Sequence, residues 1–128
     1  MDIIKVVCGI IFKDDKIFLC RRNTHKSLAG YWEFPGGKVE ANETQEPSLY
    51  RELLEELGMK VTVGKHFQSA IHVYNTFTIE LIAYFCQFEE ATYTLTDHDL
   101  YEWVDKDNLL DLKLAPADIP IAKALIDS

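Results

Sequence analysis

Residues 37–59 read GKVEANETQEPSLYRELLEELGM, and the organisation of the chain is decided within them. Good helix formers dominate from Thr44 to Leu57 and Gly58 supplies a stop, so a helix is predicted over 44–57. Pro47 falls in its first turn, where the amides have no helical partner and a proline is tolerated. Glu52, Glu55 and Glu56 stand at i, i+3 and i+4, which at ~100° per residue gathers them on one face. Tyr50, Leu53 and Leu57 occupy a different arc and are expected to form the buried face. Like-charge pairs at this spacing destabilise a helix by roughly 0.2–0.5 kcal/mol each. A solvated acidic face simply carries that cost, whereas a divalent cation reverses it. Hard carboxylate oxygens on a rigid helix suit Mg²⁺ or Mn²⁺, which also bind substrate phosphate. Periodicity alone leaves both readings open.

The 128 residues around this segment are 48% hydrophobic and 27% charged, the balance of a single globular domain over 1–128. Twenty-one acidic against thirteen basic side chains give a net charge of −8, which argues against a grip on nucleic-acid polymers or anionic membranes. A small phosphorylated ligand held through metal ions remains compatible with that charge. The acidity is uneven: residues 1–39 sum to +3, residues 40–56 to −5 and residues 89–118 to −7. Cys8, Cys20 and Cys86 lie in apolar stretches with no C-x-x-C or His/Cys pairing, so buried reduced thiols are expected and a zinc site is not. No basic segment followed by an apolar run opens the chain, and nothing approaches the ~20 apolar residues of a membrane helix. A cytoplasmic protein is the expectation.

Outward from the helix, the β-branched run Ile3–Phe12, a polar turn at 13–15 and Lys16–Arg22 predict a hairpin. Residues 23–30 are a polar loop, and 30–37 (GYWEFPGG) are dense in turn formers and aromatics. Val61–Tyr74 and Thr76–Phe88 predict two antiparallel strands joined near Asn75, and Leu100–Val104 a short one. A short helix is expected over 105–112 and a C-terminal helix over 116–126, with Pro120 early in it. The fold class is α/β.

Counted from Gly37, five residues lead to Glu43 and seven more to Arg51-Glu52-Leu53-Leu54-Glu55-Glu56-Leu57-Gly58-Met59. This resembles the Nudix box, G-x5-E-x7-R-E-U-x-E-E-x-G-U with U aliphatic, at every fixed position, Met59 serving as the last apolar one. Gly9-Ile10-Ile11, Arg21-Arg22, Glu33-Phe34-Pro35-Gly36-Gly37-Lys38 and Trp103 look like the MutT branch of that superfamily. Leu114-Ala115-Pro116-Ala117-Asp118-Ile119-Pro120 is similar to the bacterial CTP pyrophosphohydrolases of the branch. The resemblance spans essentially the whole chain and implies the Nudix fold, a mixed β-sheet packed between helices as an α/β/α sandwich. It implies that Glu52, Glu55 and Glu56, with the Gly37 carbonyl, ligate Mg²⁺, for which Mn²⁺ would substitute. Arg51 and Glu43 would pair across loop and helix. Asp97, six residues before Trp103, stands where the family often has a glutamate that completes the metal site.

The implied reaction is attack of water on the β-phosphorus of a nucleoside triphosphate, releasing monophosphate and pyrophosphate. Glu52 is the first choice of proton acceptor and Glu43 its competitor. Arg22 and Lys38 are the basic groups placed to hold phosphate oxygens, or else surface charges. The base would be read by the backbone at Phe34 and the side chain of Asp118. Ionised aspartate only accepts hydrogen bonds, which tilts the reading toward cytosine nucleotides, 5-modified dCTP included, without excluding 8-oxo-dGTP. A protonated Asp118 would weaken that argument, and a helix N-cap explains the residue equally well. Tyr74 lies near but not at the position of a tyrosine associated with diadenosine polyphosphate hydrolases. His25, His66, His72 and His98 have no evident partner in sequence, although His98 beside Asp97 would shape the metal loop. The expected partner is a nucleotide and the expected state a monomer or homodimer. Hydrolysis of another nucleoside diphosphate derivative, such as a dinucleotide polyphosphate or nucleotide sugar, and nucleotide sensing without turnover are the alternatives.

Overall fold

The structure, a computed structural model, describes residues 3–128. β1 (Ile3–Lys13), β2 (Lys16–Arg22), β3 (Trp32–Glu33) and β4 (Gly36–Lys38) precede α1 (Gln45–Leu57). β5 (Met59–Val73), β6 (Thr78–Ala91) and β7 (His98–Asp105) follow, then a 3-10 turn over Lys106–Asp111, another over Pro116–Asp118, and α2 (Ile119–Asp127). The sheet runs β3-β2-β1-β6-β5, with β4 joined to β1 and β7 to β2. β1 and β6 are parallel and the other pairs antiparallel.

Alternation along β1 shows why helices cover both faces. Val7 and Ile11 pack with Leu49, Leu53 and Leu57 of α1, while Cys8 and Ile10 pack with Ile121, Ala122 and Leu125 of α2. The expected mixed α/β sandwich is the observed architecture. All three cysteines are free and buried.

α1 starts at Gln45 with Thr44 as its N-cap and ends at Gly58, whose left-handed φ of 58° lets its N–H reach the Leu54 carbonyl at 3.0 Å. Its buried stripe is Ser48, Leu49, Leu53 and Leu57. Tyr50 departs from expectation: it is 39% exposed, at the edge of the arc that Leu49, Leu53 and Leu57 bury. The turn-rich 30–37 segment contains two short strands, since Trp32–Glu33 bonds to β2 and Gly36–Lys38 to β1. The expected C-terminal helix is divided, a 3-10 turn over 116–118 leading into α2 with Pro120 in the first turn. In place of the short helix expected over 105–112, a 3-10 turn covers Lys106–Asp111, Asp105 being the last residue of β7.

β4 lies very close to β1. A Cβ on Gly36 would strike the Val7 carbonyl oxygen and sit 2.7 Å from Cys8 Cα, so backbone would have to move. Gly36→Ala is therefore expected to cost about 1–3 kcal/mol, seen as a lower urea midpoint at unchanged m-value. A wild-type midpoint would contradict this packing.

Candidate active site

The acidic face of α1 is organised around Arg51. Its Nε donates to Glu43 Oε2 at 2.7 Å and its Nη2 to Glu43 Oε1 at 2.9 Å, a two-point pair between helix and loop. Nη1 donates to Glu55 Oε2 at 3.0 Å, and Nη2 lies 3.2 Å from Glu52 Oε1. Glu43 also accepts the Glu40 N–H at 3.1 Å, which closes the loop ahead of α1. These contacts, Arg51 foremost, hold the Glu43 carboxyl down at about 2.

The three glutamates of the face differ in surroundings. Glu55 is 59% exposed at the rim, whereas Glu52 is 12% exposed and presses on β4. A Cβ on Gly37 would run into the Glu52 carboxyl, so glycine lets helix and strand meet there. Burial raises the Glu52 pKa, and Arg51 partly opposes the rise. Burial pushes Glu56 further, up to about 8, with the charges of Asp97 and Glu52 adding to it.

Asp97 reaches Glu56 through a strand irregularity. The β2–β7 register shifts between Arg21 and Arg22, so Arg22 faces His98 while Arg21 pairs with Leu100. The Asp97 carbonyl accepts the Asn23 N–H at 2.9 Å, and its carboxylate lies 3.8 Å from Lys26 Nζ. Glu52, Glu56, Asp97 and the Gly37 strand thus converge from three separate parts of the chain. Crowded oxygen donors, one of them driven toward its neutral form by the others, fit a hard divalent cation.

Phe34 and Asp118, the two positions expected to read the base, also meet. Trp32 donates its N–H to the Lys113 carbonyl and accepts the Ala115 N–H, both at 2.8 Å, which anchors the segment before Asp118. Asp118 Oδ2 then accepts the Phe34 N–H at 2.8 Å, with both residues buried. Asp118 stands at the N-cap of α2 but makes no side-chain capping bond. Burial first, and the charge of Glu33 next, raise its pKa well above the usual carboxylate range. The argument from an acceptor-only aspartate weakens accordingly, because a protonated carboxyl can donate.

Arg22 donates from Nη1 to Glu33 Oε1 at 3.0 Å and from Nε to the Ser27 carbonyl at 2.6 Å. It is a held residue with part of its five-donor fork left over. Lys38 is exposed on β4, immediately after Gly37. Sequence reasoning missed two residues. His98 is 2% exposed with Nε2 at 2.8 Å from Glu33 Oε2, so the histidine without an evident partner has a buried one, 65 residues away in sequence. Glu33, quoted only as part of a motif, joins it to Arg22. Ligand atoms of Cys20, Glu33 and His98 lie within 4.8 Å of one another, a second group that could hold a metal and one that the spacing of Cys and His concealed.

A family model described as NUDIX domain matches residues 6–124. The chain is 40% identical over 126 residues to a CTP pyrophosphohydrolase of Escherichia coli K12, covering 98% of this chain and 93% of that protein. It is 35% identical over 104 residues to an 8-oxo-dGTP diphosphatase of Buchnera aphidicola subsp. Schizaphis graminum, covering 81% and 78% respectively. Among solved structures, the solution structure of the E. coli ORF135 protein superposes with a TM-score of 0.84 at 39% identity, covering 99% of this chain and 91% of that one.

Glu56 keeps its proton to about pH 8 when folded but only to about 4.5 when unfolded, so metal-free protein should lose stability as pH rises between those values. A cation bound at Glu56 must displace that proton. Mg²⁺ should therefore raise the Tm more at about pH 8 than at about pH 6. Equal shifts at both would contradict Glu56 as a ligand.

Proposed function

The chain belongs to the NUDIX family, and from that premise we propose a Mg²⁺-dependent nucleoside triphosphate pyrophosphohydrolase that converts a (d)NTP and water to (d)NMP and pyrophosphate. The observation that carries this reading is the convergence of Glu52, Glu56 and Asp97, where burial first and the neighbouring charges of Asp97 and Glu52 next push Glu56 up to about 8. Glu52, Glu55, Glu56, Asp97 and the Gly37 carbonyl are the proposed holders of Mg²⁺, with Mn²⁺ as a substitute. When bound there, such ions would offset the charge of the carboxylates and of the phosphate, absorb charge developing in the transition state and lower the pKa of the attacking water. Cytosine nucleotides, including modified dCTP, and 8-oxo-dGTP are the proposed substrates, in keeping with the relatives' names. Removal of damaged or surplus nucleotides from the pool is the corresponding role.

Glu52 takes the proton from the attacking water. Its carboxyl is desolvated and raised in pKa, as a general base requires, whereas Glu43 is held at about 2 with both oxygens engaged by Arg51. Arg51 is then a positioning residue that sets the inclination of Glu52 against β4. Arg22 and Lys38 hold phosphate oxygens, and Phe34 with Asp118 meets the base. A single domain over 1–128, monomeric or paired with a second copy and working in the cytoplasm on a small nucleotide, completes the proposal. Among the described residues no helix is long and apolar enough to cross a membrane.

A screen of ordinary and oxidised (d)NTPs, dinucleotide polyphosphates and ADP-ribose with Mg²⁺ should yield monophosphate and pyrophosphate from a triphosphate. Orthophosphate as the first product, or turnover of dinucleotides alone, would contradict the reading. Glu52→Gln should lower kcat at least ~100-fold with the fold intact. Near-normal turnover of that variant at saturating Mg²⁺ removes Glu52 from catalysis. Asp118→Asn should change the kcat/KM ratio between dCTP and 8-oxo-dGTP, and an unchanged ratio refutes base reading by Asp118.

A further inference from the structure

The most deeply buried histidine of the described chain has no task in the scheme above. His98 opens β7 opposite Arg22 of β2, and its side chain is 3% exposed. Nε2 bonds to Glu33 Oε2 at 2.8 Å, while Nδ1 is buried without a hydrogen-bond partner. The other oxygen of the same carboxylate, Glu33 Oε1, accepts from Arg22 Nη1 at 3.0 Å. Glu33 therefore spends one oxygen on each neighbour, and His98 is covalently the next residue after Asp97. Burying an imidazole that leaves one nitrogen unsatisfied is costly, a cost that packing alone would avoid with a leucine.

We infer that His98 and Glu33 are positioning residues whose hydrogen bond fixes the phosphate-holding Arg22 and the metal-side Asp97 relative to each other. The proposal rests on the pyrophosphohydrolase reading and deepens it. The brace is continuous: Glu56 meets Asp97, the backbone leads to His98, His98 bonds to Glu33 and Glu33 bonds to Arg22. Arg22 is also tied to Ser27 through Nε at 2.6 Å and Nη2 at 3.4 Å, which holds it at one side only. Without Glu33 the guanidinium keeps its loop contact to Ser27 and loses the bond that joins it to His98. Without His98, Glu33 keeps Arg22 but no longer links it to the strand that carries Asp97. The two halves of the site, one for phosphate and one for cation, are thus set by one carboxylate.

The test compares wild type, His98→Leu, His98→Gln and Glu33→Gln on dCTP, or on whichever (d)NTP wild type hydrolyses fastest, at a temperature where each is folded by circular dichroism. His98→Leu should raise KM for the nucleotide and the Mg²⁺ concentration for half-activation together, each on the order of tenfold, with kcat at double saturation within about threefold of wild type. His98→Gln, which keeps a donor aimed at Glu33, should recover most of both shifts. A role confined to packing predicts the reverse: lower Tm, unchanged KM and unchanged Mg²⁺ requirement. That outcome overturns the brace, as does a glutamine variant no better than the leucine one. If His98→Leu does not fold, Glu33→Gln replaces it, with the same paired shifts expected and their absence equally fatal. Glu52→Gln is the control that separates the two levels: full activity there sinks the parent reading, while its inactivity leaves the brace to be judged on the His98 and Glu33 variants.

Discussion

Everything at this site depends on how negative charge is held together. Glu43, Glu52 and Glu55 surround one guanidinium, that of Arg51, while Glu56 and Asp97 meet beyond its direct contacts. Arg51 satisfies the outer part of the cluster, above all Glu43. The inner part is left with more carboxylate than cation, and burial makes that imbalance expensive. A folded chain tolerates it either by keeping a proton, as at Glu56, or by taking up a metal ion. The same imbalance that weakens the metal-free protein prepares it for a cation that arrives with a triphosphate.

The fold supplies the convergence. α1 must lie flat on the sheet to bury Leu49, Leu53 and Leu57, and that docking carries Glu52 onto the glycine strand β4. The register shift in β2–β7 turns Asp97 toward Glu56 and at the same time puts His98 beside Glu33. The short strand β3 does a similar task for the other side of the site. Its Trp32 backbone holds residues 113 and 115, and so places Asp118 beneath Phe34.

Much of this was legible in the residues themselves. The glutamate spacing on α1 and the Gly58 stop followed from local periodicity, a short-range property, whereas the Glu43–Arg51 pair and the approach of Asp97 to the box were implied only by the resemblance to the Nudix family. The Glu33–His98 bond was not legible, because it joins residues 65 apart through a strand pairing that neither residue signals. Tyr50 is a simpler case: it lies at the margin of the apolar arc, where the angle on the helix does not separate a buried side chain from an exposed one. The protonation tendency of Asp118 was equally hidden, since it arises from burial and from Glu33, neither of which sequence order reveals.

Two groups of side chains come into question as the seat of a cation: the proposed one, the carboxylates of α1 with Asp97, and Cys20, Glu33 and His98, whose ligand atoms lie within 4.8 Å of one another. The measurement that decides between them most directly is anomalous diffraction from crystals grown with Mn²⁺ and a non-hydrolysable nucleoside triphosphate. Manganese peaks are expected against oxygens of Glu52, Glu56 and the Gly37 carbonyl, next to phosphate, with the Glu33–His98 bond intact. Manganese at Cys20, Glu33 and His98, with none against the glutamates of α1, would contradict the α1 carboxylates as the seat of the cation.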